Sequence, residues 1–158
     1  MRDAVTEFLN YNRPFAERNP DLYRVKIARM AENPFAFLRG SFHLFAKDVI
    51  DNVAESVGLL ASDGGVEMDL VGDIHSENYG TYQATDTDVY YDINDFDETI
   101  RGRLDFDVCR LAVSLLLMSQ NRGDSLADTV RVTLTGITTY TEALPNFLKK
   151  GKEALQDL

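Results

Sequence analysis

Bases are scarce in this 158-residue sequence, and so are sulfur and imidazole. Sixteen Lys and Arg face 26 Asp and Glu, a formal charge of -10. That deficit excludes broad binding to nucleic acid or to anionic membranes, both of which need basic surface. A single cysteine, Cys109, excludes an intrachain disulfide and any multi-cysteine zinc site, and fits a reducing cytosol. No apolar run approaches the roughly 18 residues that cross a bilayer. The N-terminus, with Asp3 and Glu7, lacks the pattern of a secretory signal. A cytoplasmic location is therefore expected. What remains is 44% hydrophobic and 10% aromatic, enough for a core. One domain spanning 1–158 is the expectation.

The charge is unevenly spread. Half of the acids, 13, fall between Asp63 and Asp107, opposed only by Arg101 and Arg103, while the rest of the chain is nearly balanced. Crowded carboxylates resist joint ionisation. A solvated acidic surface would explain most such runs. Here, however, the acids alternate with Val, Ile, Tyr and Phe at strand-like spacing, which sets several beside buried backbone. A neutralising cation is the more economical explanation.

Periodicity predicts an α+β fold, mainly helical, with a small β-hairpin. Residues 1–60 read as helices. Asn19-Pro20 opens one, with Leu22, Val25, Ile27 and Met30 on its face, and Asn33-Pro34 ends it. Ser41 is expected to cap a helix running from Phe42 to Val57, and Ser62 to Gly65 to form a turn. Val66 to Val71 reads as a strand. Tyr79–Ala84 and Val89–Ile93 read as a hairpin around Thr85–Asp88, and Asn94 to Arg103 as a polar loop. Helix returns at Asp105 or Asp107, either of which is placed to cap it. Val108 to Met118 is apolar nearly all round, predicting a buried helix that ends at Gly123. Ser125 to Asp128 looks like a capping box, and Pro145 is expected to restart a last helix.

The chemistry concentrates in Gly72-Asp-Ile-His-Ser-Glu-Asn78 and in Asp92-Ile-Asn-Asp95-Phe-Asp97-Glu98. A strand delivers Asp73 into a tight loop that returns Asn78 five residues later, and a hairpin brings the second loop back beside the first. Together they offer one carboxylate to orient a hydroxyl, with an amide oxygen and further carboxylates for a hard divalent cation. Phosphoryl transfer needs that set. The plainer alternative is a pair of turns whose acids bond local backbone or water.

These motifs resemble the catalytic and metal-binding loops of the aminoglycoside-phosphotransferase-like branch of the protein-kinase-like superfamily. Together with Pro34-Phe-Ala-Phe-Leu-Arg-Gly40, they resemble more closely an uncharacterised bacterial family catalogued as domain of unknown function 2252. The likeness covers roughly residues 20 to 120. It implies Asp73 as catalytic base, and Asn78 with Asp95 as metal ligands, Asp92 and Asp97 being alternates. His75 would support the loop, Asp107 would anchor it, and Arg39 would bind phosphate or pair with an acid. Mg2+ would be the cofactor and ATP the co-substrate, with a small-molecule acceptor.

The sequence departs from a kinase in lacking a G-x-G-x-x-G clamp. Lys26 and Lys47 fall on predicted helices instead of the strand that carries a nucleotide lysine. The resemblance implies that those elements lie in a further C-terminal segment, or that a second copy of the chain completes the site. A truncated or non-catalytic kinase-like scaffold is therefore a rival reading. So is a metal-dependent phosphoesterase, since Asp73-x-His75 after a strand resembles the opening ligands of dinuclear phosphatases. Those enzymes need several further histidines, and only His43 is on offer.

Overall fold

In the computed structural model, the described residues are 3–49, 67–83 and 88–156. The chain begins with α1 (Ala4–Arg18) and α2 (Pro20–Met30), followed by the short helices α3 (Pro34–Gly40) and α4 (Phe42–Asp48). Four strands follow: β1 (Glu67–Leu70), β2 (Tyr79–Gln83), β3 (Val89–Ile93) and β4 (Ile100–Arg103). Two long helices, α5 (Leu104–Asn121) and α6 (Leu126–Gln156), close the described fold. The architecture is α+β and mainly helical, as the periodicity predicts. The expected continuation of the Ser41 helix to Val57, the Ser62–Gly65 turn and most of the Thr85–Asp88 turn lie outside the described residues.

Local chemistry explains the helix starts. Asp3 accepts the Thr6 amide at 3.1 Å and Asn33 the Ala36 amide at 2.8 Å, while Pro20 and Pro34 sit at first-turn positions where a missing N–H costs nothing. Gly123 ends α5 with φ +82, and Ser125 and Asp128 bond reciprocally at the start of α6.

Several expectations change. The loop at 94–103 ends in a strand, β4, paired antiparallel with β1 so that Asp69 faces Arg101 and Glu67 faces Arg103. Ile-Arg-Gly-Arg has too little apolar content to read as a strand; Arg101 pairs with Asp69 across the ladder at 3.2 Å, while Arg103 turns to Asp105. Neither Asp105 nor Asp107 caps α5: the helix starts at Leu104, and Asp107 lies within its first turn. Pro145 restarts nothing, because α6 runs through it, as α1 runs through Pro14. A proline removes one hydrogen bond and crowds one carbonyl, a local penalty that these longer helices absorb.

β2 and β3 form the predicted hairpin, with Tyr79 opposite Ile93 and Gln83 opposite Val89. Its tyrosines pack on one another, Tyr82 with Tyr90 at 6.1 Å between centroids and Tyr79 with Tyr91 at 6.3 Å. The core lies under β1, where Val49, Leu70 and Phe106 are buried together against Phe42 and Phe45. Both of those rings meet Phe106 edge-on, at 6.0 and 5.5 Å. α5 packs between α6, α3 and β1. It is not buried all round: Val113 is exposed, while the polar Asp107, Arg110, Ser114 and Ser119 are buried. Cys109 is only half-buried.

Candidate functional site

The site is built at the open end of the β2–β3 hairpin. One loop, 71–78, enters β2 and the other, 94–99, leaves β3, so pairing the strands brings the loops together. The ladder extends into them through the Asn94 amide, which donates to the Asn78 carbonyl at 2.9 Å. A second backbone approach lies at Gly72, whose φ is +84 and where any Cβ would overlap the carbonyl oxygen of Glu98. Glycine is required there both for conformation and for space.

α5 fixes the first loop with a polar stripe at helical spacing. Asp107 accepts the amides of Val71 at 2.8 Å and Gly72 at 3.0 Å. Three residues on, Arg110 pairs with Asp73, its Nε donating to Oδ1 at 2.9 Å. Four residues further, Ser114 Oγ accepts the Ser76 amide at 2.8 Å. Residues three and four apart share a helix face, so one face of α5 grips three points of one loop. Asp107 thus anchors the loop as the resemblance implies. Arg110 and Ser114 were absent from the sequence expectations, although their spacing from Asp107 inside an apolar helix was a readable signal.

Arg110 is fully buried. Besides Asp73 it donates to the Leu38 carbonyl at the end of α3, at 2.8 Å, and its guanidinium lies over the rings of Phe45, at 4.8 Å, and Phe42, at 5.5 Å. Both of its bonds to Asp73 reach Oδ1. Among the described residues Oδ2 carries no hydrogen bond, and Asp73 borders two cavities. Burial pushes the Asp73 carboxyl above the usual aspartate range, and the Arg110 charge opposes that rise. Burial likewise raises Asp107, against its two amide donors.

The smaller cavity, about 160 Å³, is bordered by Val71, Asp73, Asn78, Asp95, Asp97 and Glu98. Four of the predicted residues, Asp73, Asn78, Asp95 and Asp97, therefore share one wall. Asn78 is buried, and its Oδ1 accepts the His75 amide at 2.6 Å. Asp95 is exposed and makes a long contact, 3.4 Å, with the Asp97 amide. Asp92 does not join them: it sits on β3 opposite Gly80, exposed, and accepts the amide of Ile93 at 2.8 Å. Among the described residues no cluster of three His, Cys, Asp or Glu side chains closes tightly enough to cage an ion.

His75 is buried, with Phe35 edge-on to its ring at 6.3 Å. Burial, reinforced by the Arg39 and Arg110 charges, lowers its pKa to about 4. Its backbone bonds Asn78, but its Nδ1 has no partner among the described residues. Arg39, open to phosphate or to an acid on sequence grounds, forms an ion pair with Glu77.

No helix among the described residues is long and apolar enough to cross a membrane. No curated protein and no solved structure matches the chain. The family model described as "Uncharacterized protein conserved in bacteria (DUF2252)" matches residues 18–157. With nearly all of its length matched, the chain belongs to that bacterial family.

Proposed function

We propose that the chain carries the catalytic and metal-binding half of a kinase-like phosphotransferase, moving a phosphoryl group from ATP to a small-molecule acceptor. The observation that supports this most is the shared cavity of Asp73, Asn78 and Asp95, with one oxygen of Asp73 clamped and the other unbonded among the described residues. Its polar wall offers oxygen donors, the set that suits magnesium. Magnesium keeps several of its waters and takes one or two carboxylates, so a closed protein cage is unnecessary. Asp95 and Asn78 would hold the ion, with Asp97 beside them; when bound, it would neutralise charge on the phosphates.

Asp73 does the proton work. Arg110 holds Oδ1, which fixes the direction of Oδ2. An acceptor hydroxyl next to Oδ2 passes its proton there as its oxygen bonds the terminal phosphorus and the bond to the leaving diphosphate breaks. Burial raises the basicity of Asp73, which favours that transfer, and Arg110 keeps the carboxylate ionised beforehand. Asp107 and Ser114 keep the loop from moving under it.

The same clamp favours one rival. A carboxylate tied to a buried arginine also suits a kinase-like scaffold without turnover. The phosphoesterase reading draws no support from His43, which stacks on Tyr11 at 3.8 Å and borders neither cavity. Calorimetric titration with Mg-ATP, followed by a labelled-phosphate transfer assay, tests the proposal once the nucleotide-clamping segment that the resemblance implies is supplied in the same chain. Heat from Mg-ATP that disappears without magnesium, with turnover lost in Asp73→Asn, is the expected result. A folded chain that gives no heat overturns the proposal, and heat without turnover favours the scaffold.

A further inference from the structure

The second cavity, about 550 Å³, opens beside the first and shares Asp73 and Asp95 with it. Its wall is chemically unlike the acidic loops. α2 contributes Lys26 and Arg29, three residues apart and so on one face, and α3 contributes Arg39. Arg39 is already paired with Glu77, and Asp73 and Asp95 also line the cavity, but Lys26 and Arg29 have no acidic partner among the described residues. Beside them lie Phe15, Leu22 and Val25, and the last two expose 60% and 49% of their surface. Apolar side chains left open next to convergent charges are the usual lining of a small-molecule site.

Two details indicate a missing anionic or polar partner. The Lys26 ammonium donates to the side-chain oxygen of Asn12 at 2.8 Å, a neutral acceptor, and Asn12 is itself buried and bonded to the Phe8 carbonyl at 2.9 Å. A part-buried ammonium satisfied only by an amide lacks its natural counter-charge. On the same wall, the buried Nδ1 of His75 has no partner among the described residues.

We propose that this pocket binds a small molecule with an apolar body and an anionic group, phosphate or carboxylate, the anion on Lys26, Arg29 and Arg39 and the body on Leu22, Val25 and Phe15. Taking that molecule as the phosphoacceptor rests on the reading above; its binding does not. Asp73 and Asp95 line both cavities, so on that reading the acceptor's pocket adjoins the proposed catalytic carboxylate.

Calorimetric titration of the chain with phenyl phosphate and with benzoate tests the pocket, using Lys26→Gln/Arg29→Gln and, because Arg29 is exposed and safely replaced, Arg29→Gln alone. Arg24→Gln is the control, since Arg24 is exposed on the same helix and pairs with Asp21. At least one probe is expected to bind, the double variant to lose about tenfold or more in affinity, the single variant part of that, and Arg24→Gln nothing. Preference for phenyl phosphate over benzoate identifies the anion as phosphate, and the reverse as carboxylate. No binding of either probe at millimolar concentration, or equal binding by parent and variants with matching melting curves, overturns the proposal. Magnesium separates the two readings: probe binding lost with the α2 charges in a chain that binds no Mg-ATP keeps this pocket and removes phosphoryl transfer. Mg-ATP turnover by a parent chain that binds neither probe does the opposite.

Discussion

The fully buried guanidinium of Arg110 holds Oδ1 of Asp73, on a loop 37 residues earlier in the chain, with Nε at 2.9 Å. Burial works against the charged form of both groups, raising Asp73 and lowering Arg110, and each relieves the other. Losing one member leaves the other charge uncompensated, which costs about 3–5 kcal/mol at buried pairs. Arg110→Met is therefore expected to lower unfolding free energy by roughly 3 kcal/mol. Asp73→Asn leaves the fully buried guanidinium without its counter-charge and should cost a similar amount, limited because the Leu38 carbonyl still accepts from Arg110. Urea denaturation of the two single variants and the double variant gives the coupling, expected at about 1–3 kcal/mol. Additive losses would show that the pair does not act as a unit.

Gly72 and Gly123 share a left-handed backbone, with φ +84 and +82, but differ in surroundings. A Cβ at Gly72 overlaps the Glu98 carbonyl, whereas one at Gly123 meets nothing within 4 Å. Gly123→Ala is expected to cost about 1–2 kcal/mol, the conformational penalty alone. Gly72→Ala should exceed that by about 1 kcal/mol or more and shift the amide resonances of both loops. Equal losses at the two positions would mean that the loops are not in backbone contact.

His75 makes stability depend on pH. Its folded pKa, about 4, lies below the ordinary 6.5, so between these values the unfolded chain binds the extra proton. The contribution is complete above pH 6.5 and is lost as pH falls towards 4, with a ceiling of roughly 3 kcal/mol. Denaturation midpoints of the parent should fall across that window, and His75→Gln should fall less steeply there. Parallel curves would contradict the burial of an uncharged imidazole.

Much of this arrangement is legible in the sequence. Strand and hairpin alternation around Tyr79–Ile93 placed both loops at one end, and the residue types in them named Asp73, Asn78, Asp95 and Asp97. Asp92 stands apart from the other four because it lies within β3, where successive side chains turn to opposite faces, instead of in either loop. β4 was missed because its partner strand, not its own composition, makes it a strand. Arg110 was missed for a different reason. One charge leaves the apolar character of a helical run intact, and only its spacing of three from Asp107 and four to Ser114 marks a face turned to something polar. The cationic wall was invisible because Lys26, Arg29 and Arg39 come from two helices whose packing brings them together.

Paramagnetic broadening by Mn2+ in place of Mg2+ addresses the shared oxygen-lined cavity most directly. Amide resonances of residues 72–78 and 94–98 are expected to broaden together at substoichiometric ion, before those near exposed acids such as Asp21 and Asp128, and Asp95→Asn should abolish the effect at both loops. Broadening confined to one loop, or spread evenly over the acidic surface, would contradict a common ion site formed by Asp73, Asn78 and Asp95.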